Sequence, residues 1–155
     1  MKASTRGEYG LRAMITFARE YGNGPRSIAV VARDSAIPTA YLEQLITPLR
    51  EAGLVESRRG ATGGYQLARS PEKITAGEIY RAMEGPLAPM DCVSENMIDQ
   101  TCPLIPNCET RPVWINVRDA IAQALDSMTL ADLIKDRTRH PIVLTVPAPG
   151  IAPVG

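Results

Sequence analysis

The sequence predicts a mainly α-helical protein with a small β-hairpin wing, built as a winged helix-turn-helix head followed by a long dimerisation helix. Three observations predict this fold class. An amphipathic helix between Pro38 and Gly53 runs into a hairpin with a glycine-rich, arginine-flanked tip. Two helical segments precede that unit, and a longer amphipathic segment begins at Thr110. Helix, helix, tight turn, helix and hairpin in this order are typical of heads that read DNA.

The first helix is predicted from Thr5 to Tyr21, where apolar residues at helical spacing form one stripe of Leu11, Ile15 and Ala18. Glycine, asparagine and proline in residues 22–25 end this helix. Ser27 can accept a hydrogen bond as the N-cap of a second helix. That helix turns its apolar residues inward, namely Ile28, Val31 and Ala32. A short break over residues 35–37 then leads into the third helix.

The third helix is predicted to be the recognition helix. Its apolar stripe consists of Leu42, Leu45, Ile46 and Leu49. Its other face is short or hydrogen-bonding and consists of Ala40, Glu43, Gln44 and Thr47. Such a face can enter a major groove and touch base edges, although a merely solvated surface has the same pattern. Gly53 suits a helix stop, whereas Pro48 removes a backbone hydrogen bond and predicts a kink or an early end.

The hairpin after this helix is predicted to be the wing. Its first strand starts at Leu54, and Tyr65 and Leu67 alternate inward on the return strand. Glycines at positions 60, 63 and 64 permit positive φ and close approach to another backbone. Arg58 and Arg59 at the start of the tip suit phosphates or a narrow minor groove. Recognition helix, glycine stop and basic hairpin together are more specific than any one of them.

The charge distribution agrees with a polyanionic partner for the first half of the chain. Residues 1–69 contain ten Lys and Arg against six Asp and Glu, whereas residues 70–155 contain seven against eleven. A basic head with a wing fits nucleic acid. No apolar run is long enough to cross a bilayer, and the N-terminus lacks the apolar middle of a signal peptide, so we expect a cytoplasmic protein with no membrane partner. A single histidine and no nucleophile–base arrangement argue against an enzyme.

The second half of the chain contains a connecting helix, a long loop and the longest helix. Thr75 and Glu78 form a capping box for a helix that stops near Gly85. The following stretch to Glu109 shows no clear period and contains Cys92, Cys102 and Cys108. A loop of this length is usually functional or disordered.

The longest helix is predicted from Thr110 to Met128, with a stripe of Trp114, Val117, Ile121, Leu125 and Met128. So small a head cannot bury this stripe, so we expect a homodimer through residues 110–128, with some packing on the first helix. Thr129 can cap a short last helix. The expected divisions are residues 1–70 for the head, 71–109 for the connecting helix and cysteine loop, 110–137 for the last two helices, and 138–155 for a flexible tail.

Four interpretations of the three cysteines remain open from spacing alone. A disulfide leaves one cysteine over and suits the cytosol badly. Zinc could take three thiolates and one other ligand, but its usual cysteine spacing is tighter. A thiol sensor needs one or two cysteines, and an iron–sulfur cluster needs three or four soft ligands and tolerates irregular spacing. Cys108 lies just before a helix N-terminus, where the helix dipole favours an anionic thiolate.

Several motifs in this order resemble a known protein family. They are R-G-E-Y-G-L-R-A-M over residues 6–14, Y-L-E-Q-L over 41–45, G-L-V over 53–55, R-G-A-T-G-G-Y over 59–65, G-E-I over 77–79 and T-L-A-D-L over 129–133. The chain is similar over roughly residues 1–135 to the IscR/NsrR-type winged-helix transcription regulators of bacteria. The resemblance implies a homodimer that binds double-stranded operator DNA and carries one iron–sulfur cluster per subunit, either 2Fe–2S or 4Fe–4S.

The resemblance also implies ligands and DNA contacts. IscR itself has a histidine ligand three residues after its last cysteine, and that position here is Arg111, which cannot ligate. The other branch of the family uses an acid from the partner's first helix, so Glu8 is the expected fourth ligand, ahead of Asp91, Glu109, His140 or water. With the helix face and the hairpin tip, the expected DNA-contacting residues are Thr39, Ala40, Tyr41, Glu43, Gln44, Thr47, Arg50, Arg58, Arg59, Gly60 and Thr62.

We therefore expect a regulator whose operator affinity is controlled by a cluster that senses redox state, iron, cluster status or nitric oxide. The first alternative is a DNA-binding regulator of the same fold that uses zinc or a reactive thiol. A further alternative is an interaction module without specific DNA binding.

Overall fold

The computed structural model describes residues 4–96 and 102–135, and these form six α-helices and one two-stranded sheet. The elements in chain order are α1 (Thr5–Arg19), α2 (Ile28–Ser35), α3 (Thr39–Glu51), β1 (Val55–Arg58), β2 (Gly64–Leu67), α4 (Ala76–Glu84), α5 (Arg111–Asp126) and α6 (Leu130–Lys135). The predicted fold class, mainly helical with a β-hairpin wing, is confirmed. Of the proposed tail, residues 138–155 lie outside the described residues, as does His140.

Helix α1 lies at the centre of the head and contacts α2, α3, α4 and α6. Ser4 caps it by accepting hydrogen bonds from the backbone N–H groups of Arg6 and Gly7, both at 3.1 Å. Its buried face differs from the predicted stripe. Leu11 and Ile15 are only half-buried, and the buried residues are Gly7, Gly10, Ala13, Met14, Thr16, Phe17 and Ala18. The helix also ends at Arg19, earlier than expected.

The helix-turn-helix follows the prediction closely. Ser27 caps α2 by accepting from the N–H of Val30 at 3.4 Å, and Ala36 makes the tight turn in a left-handed conformation with φ of 53°. Helix α3 continues through Pro48 to Glu51, so an early end at this proline is wrong. Pro48 leaves the carbonyl of Gln44 without an i+4 donor, and Gln44 is exposed, so that carbonyl can reach water.

The wing is an antiparallel hairpin in which Val55 pairs with Leu67 and Arg58 pairs with Gly64. The end of α3 leads directly into it, because the N–H of Leu54 donates to the carbonyl of Leu49 at 3.0 Å. A further bridge, which no sequence pattern indicated, joins Arg26 to Tyr65 through two backbone hydrogen bonds of 2.8 Å. A side chain at Gly64 would overlap the Arg26 carbonyl, so this close approach requires glycine.

Helix α4 joins the head to the second half of the chain. Its capping box is confirmed, since the N–H of Glu78 donates to Thr75 Oγ1 at 3.2 Å and the N–H of Thr75 donates to Glu78 Oε2 at 2.9 Å. Ile79 and Met83 are buried against α1, and Gly85 ends the helix. The continuous core of the head also includes Leu130 of α6, so the last helix belongs to the same packed unit.

Helix α5 contacts α4 and the turn Asp91–Val93, which contains Cys92, yet none of the residues of α5 is buried. Its exposed apolar side chains include Val113, Trp114 and Val117, which are 57%, 36% and 37% accessible. The predicted N-cap of α6 is present, because Thr129 Oγ1 accepts from the N–H of Asp132 at 3.1 Å. None of the helices in residues 4–96 and 102–135 has the length and apolar character needed to cross a membrane.

Candidate nucleic-acid interface and cysteine segment

The recognition helix presents its polar face to solvent. Leu42, Leu45, Ile46 and Leu49 are buried in the head, as their spacing predicts. The expected contact residues on the other face are exposed, namely Thr39, Ala40, Glu43, Gln44, Thr47 and Arg50. This face is small and polar enough to lie in a major groove, with amide, carboxylate and hydroxyl groups within reach of base edges.

Tyr41 is the exception on that face, because it is half-buried. Its ring makes an edge-to-face contact with the ring of Tyr9 on α1, with centroids 5.5 Å apart. The guanidinium of Arg12 lies over the Tyr9 ring, 5.2 Å from its centroid, and forms an ion pair of 2.9 Å with Glu8. The first helix is therefore connected to the start of the recognition helix through side chains.

The tip of the wing is exposed and basic. Arg58, Arg59, Gly60 and Thr62 are all exposed. Arg58 forms an ion pair of 2.9 Å with Glu56, and Glu56 also accepts from the side-chain amide of Gln66 at 2.7 Å. The guanidinium of Arg58 is thereby held along the strand, whereas Arg59 begins the turn. Both can reach a phosphate backbone alongside a groove-inserted α3.

The cysteine segment, which covers residues 86–109, follows α4 and is anchored at its start. Cys92 lies in a 3-10 turn, Asp91–Val93, and Val93 is fully buried. Cys102 precedes a second 3-10 turn, Ile105–Asn107, and Cys108 follows that turn. All three thiols are free and half-buried. Residues 97–101, between the first two cysteines, lie outside the described residues.

Cys108 lies beside polar groups just before the start of α5. Its Sγ lies 3.4 Å from the hydroxyl of Thr110, and hydrogen bonds from the side chain and backbone of Thr110 lower the pKa of the thiol. Arg111 at the start of α5 adds a positive charge that acts in the same direction. A pocket of about 290 Å³ lies beside it, lined in part by Ile105, Pro106 and Ile115.

The donor chemistry of this segment suits a soft metal centre, but the ligands are not assembled. Within residues 4–96 and 102–135, no three His, Cys, Asp or Glu side chains lie close enough to hold one metal ion. Asp91 and Glu109 are exposed beside their cysteines, and Glu8 is exposed on α1, where it pairs with Arg12. Glu8 thus neighbours Tyr9, which contacts the recognition helix, and within the described ranges it belongs to no group of three candidate ligands.

One arginine connects three parts of the chain, although no pattern in the sequence indicated it. Arg81 of α4 forms ion pairs of 2.6 Å with both Glu95 and Asp126. Its partners lie 14 and 45 residues away, so no local spacing could have indicated them. The missed contact between Tyr9 and Tyr41 is non-local for the same reason.

Comparisons with known proteins agree with this architecture. The model of the Rrf2 family, described as iron-dependent transcriptional regulators, matches residues 3–136. The regulator CymR of Bacillus subtilis is 45% identical over 133 residues, covering 86% of this chain and 89% of that protein. The regulator IscR of Aliivibrio salmonicida is 32% identical over 136 residues, covering 88% of this chain and 79% of that protein.

Solved structures give the same result. The structure of B. subtilis CymR, described as a global cysteine regulator, superposes with a TM-score of 0.70 at 44% identity and covers 87% of this chain and 97% of that one. The oxidized form of Staphylococcus aureus CymR superposes with a TM-score of 0.65 at 41% identity, with 87% and 97% covered. With its exposed recognition face and basic wing, this chain therefore belongs to the Rrf2 family and is a DNA-binding transcription regulator.

Proposed function

We propose that the protein is a cytoplasmic homodimer whose affinity for operator DNA is controlled by an iron–sulfur cluster in each subunit. Cys92, Cys102 and Cys108 would supply three ligands, and Glu8 of the partner subunit would supply the fourth. The observation that carries this proposal is the set of three half-buried thiols on one segment beside α5. The iron dependence in the description of the family supports iron over zinc.

In the DNA complex, the exposed face of α3 would lie in the major groove. Gln44 and Glu43 can exchange hydrogen bonds with base edges, because both are exposed on that face. The wing would lie along the backbone, where Arg58 and Arg59 neutralise phosphates. A twofold dimer places two such heads one helical turn apart, so small changes in their relative placement alter operator affinity.

The cluster would supply sensitivity to oxidants, iron supply or nitric oxide, because thiolate-held iron and sulfide change oxidation state or are lost under these conditions. The residues of this chain would transmit that change. When Glu8 is not a ligand, it pairs with Arg12, whose guanidinium lies on Tyr9 and so beside Tyr41 of the recognition helix. Engaging Glu8 elsewhere would remove that ion pair.

The test compares operator binding by cluster-loaded and cluster-free protein in one salt buffer. Anaerobic purification should give a coloured protein with iron and sulfide near one cluster per subunit, and electron paramagnetic resonance then assigns the cluster type. Loaded and cluster-free protein should differ in operator affinity by about 5- to 150-fold. Equal affinities, or an iron-free protein under strictly anaerobic conditions, would contradict the proposal.

A second candidate is a thiol switch on the same fold. The lowered pKa of Cys108 and the absence of an assembled ligand set in the described residues favour it. A relative has also been solved in an oxidized form. If this candidate is correct, Cys108→Ser alone abolishes the response of operator binding to peroxide, and metal-free protein responds as strongly as protein purified anaerobically. Zinc in the purified protein would instead indicate a structural metal.

A further inference from the structure

Arg81 joins three separate parts of the chain through one guanidinium. It donates to Glu95 of the cysteine segment from Nε at 2.9 Å and from Nη2 at 2.6 Å. It also donates to Asp126 at the end of α5, from Nη1 at 2.6 Å and from Nη2 at 3.0 Å. Two carboxylates that are distant in sequence are therefore held by one planar group on α4, in an arrangement that lysine cannot reproduce.

The side of the cysteine segment that Arg81 holds is firmly anchored. Glu95 accepts a further hydrogen bond from the N–H of Leu87 at 2.8 Å, which joins Glu95 to the first residues of the segment. Arg118 of α5 donates to the carbonyl of Val93 at 3.1 Å. Cys92 lies one residue before Val93 and three before Glu95, in the turn Asp91–Val93, so added bulk at its thiol would strain both anchors.

The side of α4 that faces the head is closely packed against α1. Met83 of α4 lies so close to Gly10 of α1 that a Cβ there would come within 2.5 Å of its Cγ. Ile79 is fully buried in the same interface. Interfaces of this density move as units, so a shift of α4 is passed to α1, whose Tyr9 contacts Tyr41.

Gly77 lies directly beside the ion pair between Arg81 and Asp126. A Cβ at Gly77 would overlap Asp126 Oδ1 and would lie 2.6 Å from Arg81 Nη1. A side chain at position 77 would therefore displace the Asp126 carboxylate or the Arg81 guanidinium from its place in the present ion pair. The hydrogen bonds from Arg81 also lower the pKa of Glu95, so this carboxylate stays charged at neutral pH.

We propose that Arg81 is the positioning residue that transmits the state of the cysteine segment to the DNA-binding head within one subunit. Glu95 is the receiving contact, and Asp126 fixes the guanidinium against α5. This inference deepens the proposed function, because it assigns the route by which the same cysteine segment acts on DNA. It differs from a route through Glu8, which joins two subunits.

The first experiment needs no cluster. A Cys102→Ser, Cys108→Ser protein retains Cys92 as its one thiol, and N-ethylmaleimide then adds bulk to the turn that contains it. Hydrogen exchange followed by mass spectrometry measures amide protection in α4 and α1 before and after alkylation. With Arg81 present, alkylation should raise exchange in α4 at least about fivefold. In Arg81→Gln, the alkylation-induced change should stay within the cysteine segment and fall below about twofold in α4.

Three further variants separate transmission from simple stability. Glu95→Ala removes the contact to the cysteine segment and should reproduce Arg81→Gln. Arg81→Lys keeps the positive charge, but its ammonium group cannot make paired hydrogen bonds to both carboxylates. The alkylation-induced rise of amide exchange in α4 should therefore be less than half of that in the parent protein. Arg69→Gln is the matched control, because it removes an ion pair of 2.8 Å with Glu78 on the same helix without touching the cysteine segment. Arg69→Gln should respond to alkylation like the parent protein.

The results distinguish this inference from the proposed function. An α4 that does not respond to alkylation, or that responds equally in Arg81→Gln, overturns the role of Arg81. Operator binding is measured separately. In Arg81→Gln with unchanged cluster content, cluster-loaded and cluster-free protein should bind the operator with affinities that differ by less than about twofold. A ratio of one in the wild-type chain contradicts the cluster proposal, and the exchange experiment still decides whether Arg81 couples the segment to the head.

Discussion

Tyr41 shows how much of this molecule depends on single side chains at the ends of elements. It lies in the first turn of the recognition helix, and its ring is held against Tyr9 of α1. The same principle applies at the start of α4, where Thr75 and Glu78 satisfy each other's backbone N–H groups. The capping box was evident from sequence because both residues lie within one turn, whereas the Tyr9–Tyr41 contact spans 32 positions and has no local signal.

Glu78 gives a pH-dependent prediction. Partial burial raises the pKa of this carboxyl, but hydrogen bonds from Thr75 and Arg69 outweigh burial and hold the pKa below its usual value. The stabilisation is therefore fully present above the pKa of the unfolded chain and is lost as pH falls through the folded pKa. Both partners are more than a third exposed, so Glu78→Gln should cost under about 1 kcal/mol at pH 7. Urea unfolding at pH 7 and pH 3 should show this difference shrinking in acid, and a constant difference would contradict the assignment.

The wing arginines give a second prediction at this scale. Arg59 is exposed at the tip and suits a phosphate contact, so Arg59→Gln should weaken operator binding and lower the slope of log K against log salt by about one. Fluorescence anisotropy over a salt series measures both. Lys73→Gln, a substitution of a cation outside the head's reading surface, serves as the control and should leave the slope unchanged. Loss of affinity at an unchanged slope would assign Arg59 to base or shape readout.

Among the elements, sequence periodicity predicted the recognition helix more accurately than α1. Helix α3 has one buried stripe against one core, and its four apolar residues are the buried ones. Helix α1 is surrounded by α2, α3, α4 and α6, so its buried face includes small residues that allow neighbouring backbones to approach. A search for large apolar residues overlooks Gly7 and Gly10, because their role depends on which helix crosses them. Pro48 misled the prediction because an exposed carbonyl can tolerate a missing donor.

The α1–α4 contact gives a prediction at the element scale. In Gly10→Ala, the added Cβ would lie 2.5 Å from Met83 Cγ and 2.8 Å from Met83 Sδ. Overpacking of this kind should lower the free energy of unfolding by about 1–3 kcal/mol. Urea unfolding monitored by circular dichroism measures the loss. Shortening the opposing side chain in Gly10→Ala, Met83→Ala should cost less than the two single substitutions combined, and strict additivity would show that the two positions do not meet.

At the scale of the whole molecule, a basic head is joined to an acidic second half whose helix α5 exposes apolar side chains. The core runs from α1 through α4 to α6, so α5 is the described helix that contributes no buried residue. The order of the elements and the exposed apolar stripe of α5 could be predicted from sequence, because both follow from periodicity. The arrangement of the cysteine segment could not, since it is fixed by Arg81 and Arg118, whose contacts cross 14 and 25 residues.

The exposed apolar stripe of α5 gives a prediction about the oligomeric state. Val113, Trp114 and Val117 expose apolar surface that a second copy of α5 would cover. Val117→Asp places a charge in that interface and should shift the protein from dimer to monomer in sedimentation velocity at micromolar concentration. Operator affinity should fall with it, because a monomer reads only one half-site. Gln123→Asp adds the same charge at an exposed position on the other side of α5 and should remain dimeric. If Val117→Asp stays dimeric while Gln123→Asp dissociates, the subunits meet through the opposite face of the helix.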